Sequence, residues 1–185
     1  MPHIDLDPQL PGILALLRFR PETAAPLGQL TEVLLRGPST LSVGLRELIA
    51  AVVSRGNACE FCSRSHGAVA AAALPGGRQA VEAAWADVDT APVPAKAKAL
   101  LHIALAVRES GQSVTDAHVA AARATGATDL EIHDTVLIAA AFCMFNRYVD
   151  GLGTLLPEES TYESAGHQLL HSGYLALGPS GDSPE

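Results

Sequence analysis

The sequence predicts an all-α protein, and three observations carry that prediction. Hydrophobic residues make up 48% of the 185-residue chain but aromatics only 4%, so the apolar content is mainly Ala, Leu and Val. Alanine and leucine are the strongest helix formers, and the aromatic, β-branched runs that build strands are missing. Leu45, Leu48, Ile49, Val52 and Val53 recur at the spacing of one helical stripe. Glycine and proline then punctuate the chain at intervals that suit helices of ordinary length.

Each element follows from that pattern. An apolar patch at 10–17 precedes a helical stretch over 21–36, which starts on a proline and is broken by Gly37-Pro38-Ser39. The striped helix spans about 42–55 and ends at Gly56-Asn57. Asn57 followed by Glu60 reads as an N-cap with its capping-box partner, opening a helix over about 58–74 that Pro75-Gly76-Gly77 stops. Further helices are predicted at about 77–87, 94–109 and 115–125, with Gly111 and Gly126 marking breaks. Thr128-x-x-Glu131 is a second capping box, opening a long apolar helix to about residue 149 that Gly151 and Gly153 close. A last helix covers about 158–172. The expected organisation is one domain over 1–175 and a linker-like tail over 176–185.

An internal echo points to a degenerate duplication. A shift of about 84 residues (131 − 47) places Glu47 on Glu131, Cys59 on Cys143, Phe61 on Phe145 and Gly67 on Gly151, while Cys62 and His66 fall on Asn146 and Asp150.

Net charge is −8, with 12 Lys and Arg against 20 Asp and Glu. That balance argues against a nucleic-acid surface, which needs clustered cations. No apolar run reaches the length needed to cross a bilayer, and the first residues lack a basic, then apolar, leader. The expectation is a cytoplasmic protein. Three cysteines are too few for a secreted disulfide framework, so a close pair points to redox chemistry or metal binding.

The densest reactive cluster is Asn57-Ala-Cys59-Glu-Phe-Cys62-Ser-Arg-Ser-His66. A thiol in the first turn of a helix faces free N–H groups and the positive end of the dipole, which favours a thiolate. His66, four residues past Cys62, shares its helix face and can take the thiol proton. Cys59, three residues before Cys62, is near enough to resolve a sulfenic acid into a disulfide. Glu47 lies opposite the apolar stripe of its helix, on a face otherwise made of Ala50, Ala51, Ser54 and Ala58. A carboxylate there can pack against a neighbouring helix and exchange protons with His66.

The pattern Glu47-x11-Cys59-x2-Cys62-x3-His66 resembles the signature of the alkylhydroperoxidase D-like family, within the carboxymuconolactone decarboxylase superfamily. The run from Phe145 to Gly153 is similar to a segment of its uncharacterised peroxidase-related branch. No nucleotide, flavin or haem fingerprint appears in the sequence, so no bound cofactor is expected. The resemblance implies an all-α helical bundle, a homo-oligomer, and a thiol-dependent peroxidase. It implies that Cys62 attacks a hydroperoxide, Cys59 closes the disulfide, and Glu47 and His66 relay protons. It further implies re-reduction by an external dithiol, in some members a lipoylated adaptor protein. Some active members carry a histidine just before the second cysteine. Phe61 stands there in this chain, so a shorter relay is expected.

Other readings compete. A general disulfide oxidoreductase would use the same pair. The two cysteines, His66 and Glu47 offer four zinc ligands, although three crowd one short helix. A lyase of the decarboxylase branch would not need the cysteines, and a helical interaction protein would leave them inert. Cys143, among Ala139–Phe142 and Phe145, reads as a core thiol, and His133 as a surface or structural residue. His167 and His171 stand one helical turn apart without other ligands.

Overall fold

In a computed structural model, residues 1–175 are described. They contain nine α-helices and no strand. The helices are α1 (Ile13–Phe19), α2 (Pro21–Arg36), α3 (Val43–Gly56), α4 (Glu60–Ala73), α5 (Gly77–Ala86), α6 (Ala95–Glu109), α7 (Asp116–Ala124), α8 (Asp129–Gly151) and α9 (Thr161–Ser172). The tail expected over 176–185 lies outside the described residues.

Caps set most of these boundaries. The Ser42 side chain accepts the Leu45 N–H and starts α3. Thr128 and Glu131 form the capping box expected for α8. At Glu131 burial pushes the carboxyl pKa up, but the Thr128 N–H, Lys96 and Thr40 outweigh it and hold the pKa below its ordinary value. Buried Arg46 donates from Nη1 to the carbonyls of Leu34 and Gly37, so a cation closes the C-terminal end of α2.

Helix α3 is the centre of the bundle. It packs against α4, α8, α6, α5 and α2, and its residues from Arg46 through Ser54 are all buried. The face opposite its apolar stripe is as dry as the stripe: Glu47, Ala50, Ala51 and Ser54 are each 0% exposed. Small side chains on that face let neighbouring helices approach closely. Helix α9 folds back over α4, with buried Gly166 against Ala68 and Val69; a Cβ at Gly166 would come within 2.8 Å of the Ala68 carbonyl carbon.

The expected capping box at Asn57 and Glu60 is not formed. Helix α3 instead ends in a Schellman turn: the Cys59 N–H donates to the Ser54 carbonyl and the Ala58 N–H to that of Arg55. Ala58 takes the left-handed position with φ of 59°, where glycine is usual. Cys59 becomes the N-cap of α4, which starts at Glu60 rather than Ala58. The Asn57 side chain turns away to α8, donating to Asn146 Oδ1 at 2.8 Å.

The 84-residue echo is not matched in helix architecture. It would set the α3–turn–α4 unit on α8, one unbroken helix from Asp129 to Gly151.

Candidate active site

The Schellman turn places both thiols. Cys59 is the N-cap of α4 and Cys62 its third residue, so both side chains stand at the start of the helix. Cys59 and Cys62 are both free thiols and lie side by side in one cluster. Cys59 is 0% exposed and Cys62 3%. They sit in a small apolar cluster with Leu6, Ala15 and Leu16 from the N-terminal segment and Val149 from α8.

This setting reverses the expected direction at Cys62. The hydrogen bond and charge of Cys59, with burial and Asp150, push the Cys62 thiol well above its ordinary pKa. An Asn146 hydrogen bond opposes them without prevailing. The nearby cations are engaged elsewhere: Arg64 pairs with Glu60 and Glu159, and Arg55 lies over the Trp85 ring. At neutral pH, Cys62 rests as a thiol and needs a base to become a nucleophile.

An imidazole stands one turn away. His66 Nδ1 lies 2.7 Å from Glu47 Oε2, joining α4 to α3 across their interface. A carboxylate at Nδ1 favours the proton there and leaves Nε2 free to accept another. The imidazole packs edge-on against Phe142, with ring centroids 4.5 Å apart.

One residue at this site was not foreseen. The Tyr174 hydroxyl donates to Glu47 Oε1 at 2.6 Å and lies 3.2 Å from His66 Nδ1. Tyr174 follows α9 and carries no motif. Its partners are more than 100 residues away in the chain, so no local pattern could have pointed to it.

A cavity of about 1000 Å³ opens onto this group. Its wall includes Cys62, Ser65, His66 and Tyr174, and its body is apolar, with Leu17, Leu27 and Phe142 among the lining residues. Cys62 faces the cavity and Cys59 stands behind it. Phe61 also lines the wall, its ring against Gly12, where a Cβ would come within 2.3 Å. The position of the absent second histidine is thus filled by apolar packing.

The remaining candidates lie elsewhere. Cys143 is partly buried beside the main core, with Asn57 Nδ2 at 3.5 Å from its sulfur. His133 is exposed and pairs with Asp134; His167 and His171 are exposed. Among the described residues no three His, Cys, Asp or Glu side chains are grouped to hold a metal ion. The zinc reading therefore lacks a ligand set: Glu47 is hydrogen-bonded to His66 and Tyr174, and Cys59 is sealed in its apolar cluster. Nor is any described helix long and apolar enough to cross a membrane.

Comparison with known proteins agrees with this architecture. The profile of the carboxymuconolactone decarboxylase family matches residues 21–101 and again 75–155. The two matches start 54 residues apart (75 − 21) and share residues 75–101, and the internal duplication they suggest has a different register from the 84-residue echo. A shift of 54 carries α2, α3 and α4 onto α5, α6 and α7. Two solved structures are similar, each with a TM-score of 0.74. One is an uncharacterised peroxidase-related protein from Silicibacter sp. TM1040, 27% identical, covering 83% of this chain and 78% of its own. The other, from Ralstonia eutropha JMP134, is described as an alkylhydroperoxidase AhpD core and uncharacterised peroxidase-related protein. It is 26% identical and covers 85% of this chain and 81% of its own. No curated protein matches the chain.

Proposed function

This chain belongs to the carboxymuconolactone decarboxylase family, and from that premise we propose that it is a thiol-dependent peroxidase acting through Cys62 and Cys59. The observation that carries the reading is the placement of two free thiols in one small cluster, the second facing an apolar cavity beside a histidine paired with a buried carboxylate.

The cycle balances as follows. His66, through Nε2, takes the Cys62 proton as a hydroperoxide enters the cavity. The thiolate attacks the terminal peroxide oxygen, the O–O bond breaks, and the alkoxide leaves with a proton from His66 as an alcohol. Cys62 is now a sulfenic acid. The Cys59 sulfur displaces its hydroxyl, giving a Cys59–Cys62 disulfide and water. An external dithiol, a lipoylated protein among the candidates, returns two electrons and two protons. The cavity's volume and apolar lining favour an organic hydroperoxide over hydrogen peroxide. Self-association into a homo-oligomer belongs to the same proposal.

The test is steady-state consumption of an organic hydroperoxide with a small dithiol as reductant. Cys62→Ser should abolish turnover, and Cys59→Ser should stop it after one equivalent of hydroperoxide. Turnover unchanged in Cys62→Ser would refute the mechanism. The family also contains decarboxylases, and a histidine–carboxylate pair in an organic-sized cavity can serve a lyase. Decarboxylation of a lactone acid that survives replacement of both cysteines would select that reading.

A further inference from the structure

We propose that Tyr174 is a positioning residue of the same relay, with its hydroxyl holding Glu47 so that Glu47 in turn fixes the basic nitrogen of His66. This inference rests on the reading of His66 as the base for Cys62.

Glu47 is fully buried, and both oxygens of a buried carboxyl group need hydrogen-bond partners. Two donors meet the need, one on each oxygen: the Tyr174 hydroxyl at Oε1 and His66 Nδ1 at Oε2. The phenol is suited to remain a donor. Burial, with the negative charge of Glu47, pushes its pKa well above the ordinary value, so it holds its proton over the working range. Glu32 acts in the same direction and Arg36 against it. With Oε1 occupied, Oε2 is left for the imidazole N–H, and Nε2 is the ring nitrogen that can accept a proton.

The structure also gives Tyr174 a purpose-built tether. Its backbone N–H donates to Glu32 Oε2 at 2.8 Å. Arg36, one turn along α2, is hydrogen-bonded to Glu32 and to the carbonyl of Leu170 at 2.8 Å. Gly173, at φ of 72°, turns the chain between α9 and the tyrosine; a Cβ there would strike the Glu32 carboxylate at 2.6 Å. Charged groups around the phenol thus come from α2 (Glu32, Arg36), α3 (Glu47) and α4 (His66). Tyr174 also lies beyond residues 21–155, so the matched family region does not include it.

The experiment is the rate of Cys62 alkylation by iodoacetamide against pH, resolved at Cys62 by mass spectrometry. It is run on the full chain and on Tyr174→Phe, Glu47→Gln and the double variant. Without the hydroxyl, Oε1 is left unpaired, the carboxylate is no longer held in one orientation, and its hold on the imidazole N–H weakens. Tyr174→Phe should slow alkylation at pH 7 by about tenfold and move the profile up by about one pH unit, the effect of losing one hydrogen bond to a charged group. In the Glu47→Gln background the same change should have no further effect. A Tyr174→Phe profile that superimposes on the unmodified protein's would overturn the proposal, and so would an equal loss in both backgrounds. Nitrogen-15 shifts of His66 in the unmodified protein give a check that needs no variant. The Nδ1–H tautomer is expected, and an Nε2–H tautomer would overturn it. If Cys62→Ser abolishes peroxide turnover while Tyr174→Phe changes nothing, this inference fails alone. If Cys62→Ser keeps full turnover, the underlying reading fails, and the tautomer measurement still decides the hydrogen-bond assignment.

Discussion

Cys62 shows how burial can reverse an expectation drawn from sequence. A cysteine in the first turn of a helix should lean toward thiolate, and the spacing to Cys59 and His66 was readable directly from the chain. The direction of its pKa was not. It depends first on the neighbouring Cys59 thiol and then on burial among Leu6, Ala15, Leu16 and Val149, which come from distant segments. The raised pKa has a consequence for stability. Above the ordinary thiol range, near 9.0, the unfolded chain releases a proton that the folded chain retains at Cys62. The unfolded state then binds fewer protons, so unfolding free energy falls as pH rises through that range. Urea unfolding at several pH values from 8 to 10 should show the decline, and Cys62→Ser should make it shallower. An equally steep decline in Cys62→Ser would show that the thiol is not held protonated by the fold. The proximity of Cys59, Cys62 and His66 was legible because local spacing along one helix sets it, whereas the meeting of His66 with Glu47 depends on how α4 packs on α3. Tyr174 was not, because it reaches the site only through the return of α9 over α4.

At the scale of elements, helix boundaries were legible wherever a cap or breaker stood in the sequence. Pro21, Ser42 and the Thr128–Glu131 box all start helices as read. The turn between α3 and α4 was misread because its left-handed residue is Ala58, and an alanine gives no signal for that conformation. The packing of α9 on α4 is the contact that delivers Tyr174. It depends on Gly166, whose missing side chain lets the two backbones meet. Adding a methyl group there must push the helices apart, since the obstacle is backbone rather than a flexible side-chain end. Gly166→Ala should cost about 1–3 kcal/mol of stability, the usual range for overpacking a tight contact. It should also slow Cys62 alkylation by displacing Tyr174. Thermal or urea unfolding together with the alkylation rate checks both effects. Unchanged stability would mean that the α4–α9 contact is looser than described.

Across the whole molecule, the all-α class followed from composition and punctuation, and the duplication from a faint echo whose register differs from that of the two family matches. An alanine-rich chain offers many accidental coincidences, and helix order is the stronger guide to a repeat. The cavity was not legible at all. It is enclosed by α1, α2, α4, α8 and α9 together, and no stretch of sequence announces how five helices leave space between them. What the assembled fold provides is a largely apolar approach to one thiol of a close pair. The most direct test is a free-thiol count on fully reduced protein before and after one equivalent of an organic hydroperoxide, with the bridge located by peptide mass mapping. The account predicts the loss of two of three thiols and a bond between Cys59 and Cys62. Three thiols surviving, or a bridge involving Cys143, would contradict it.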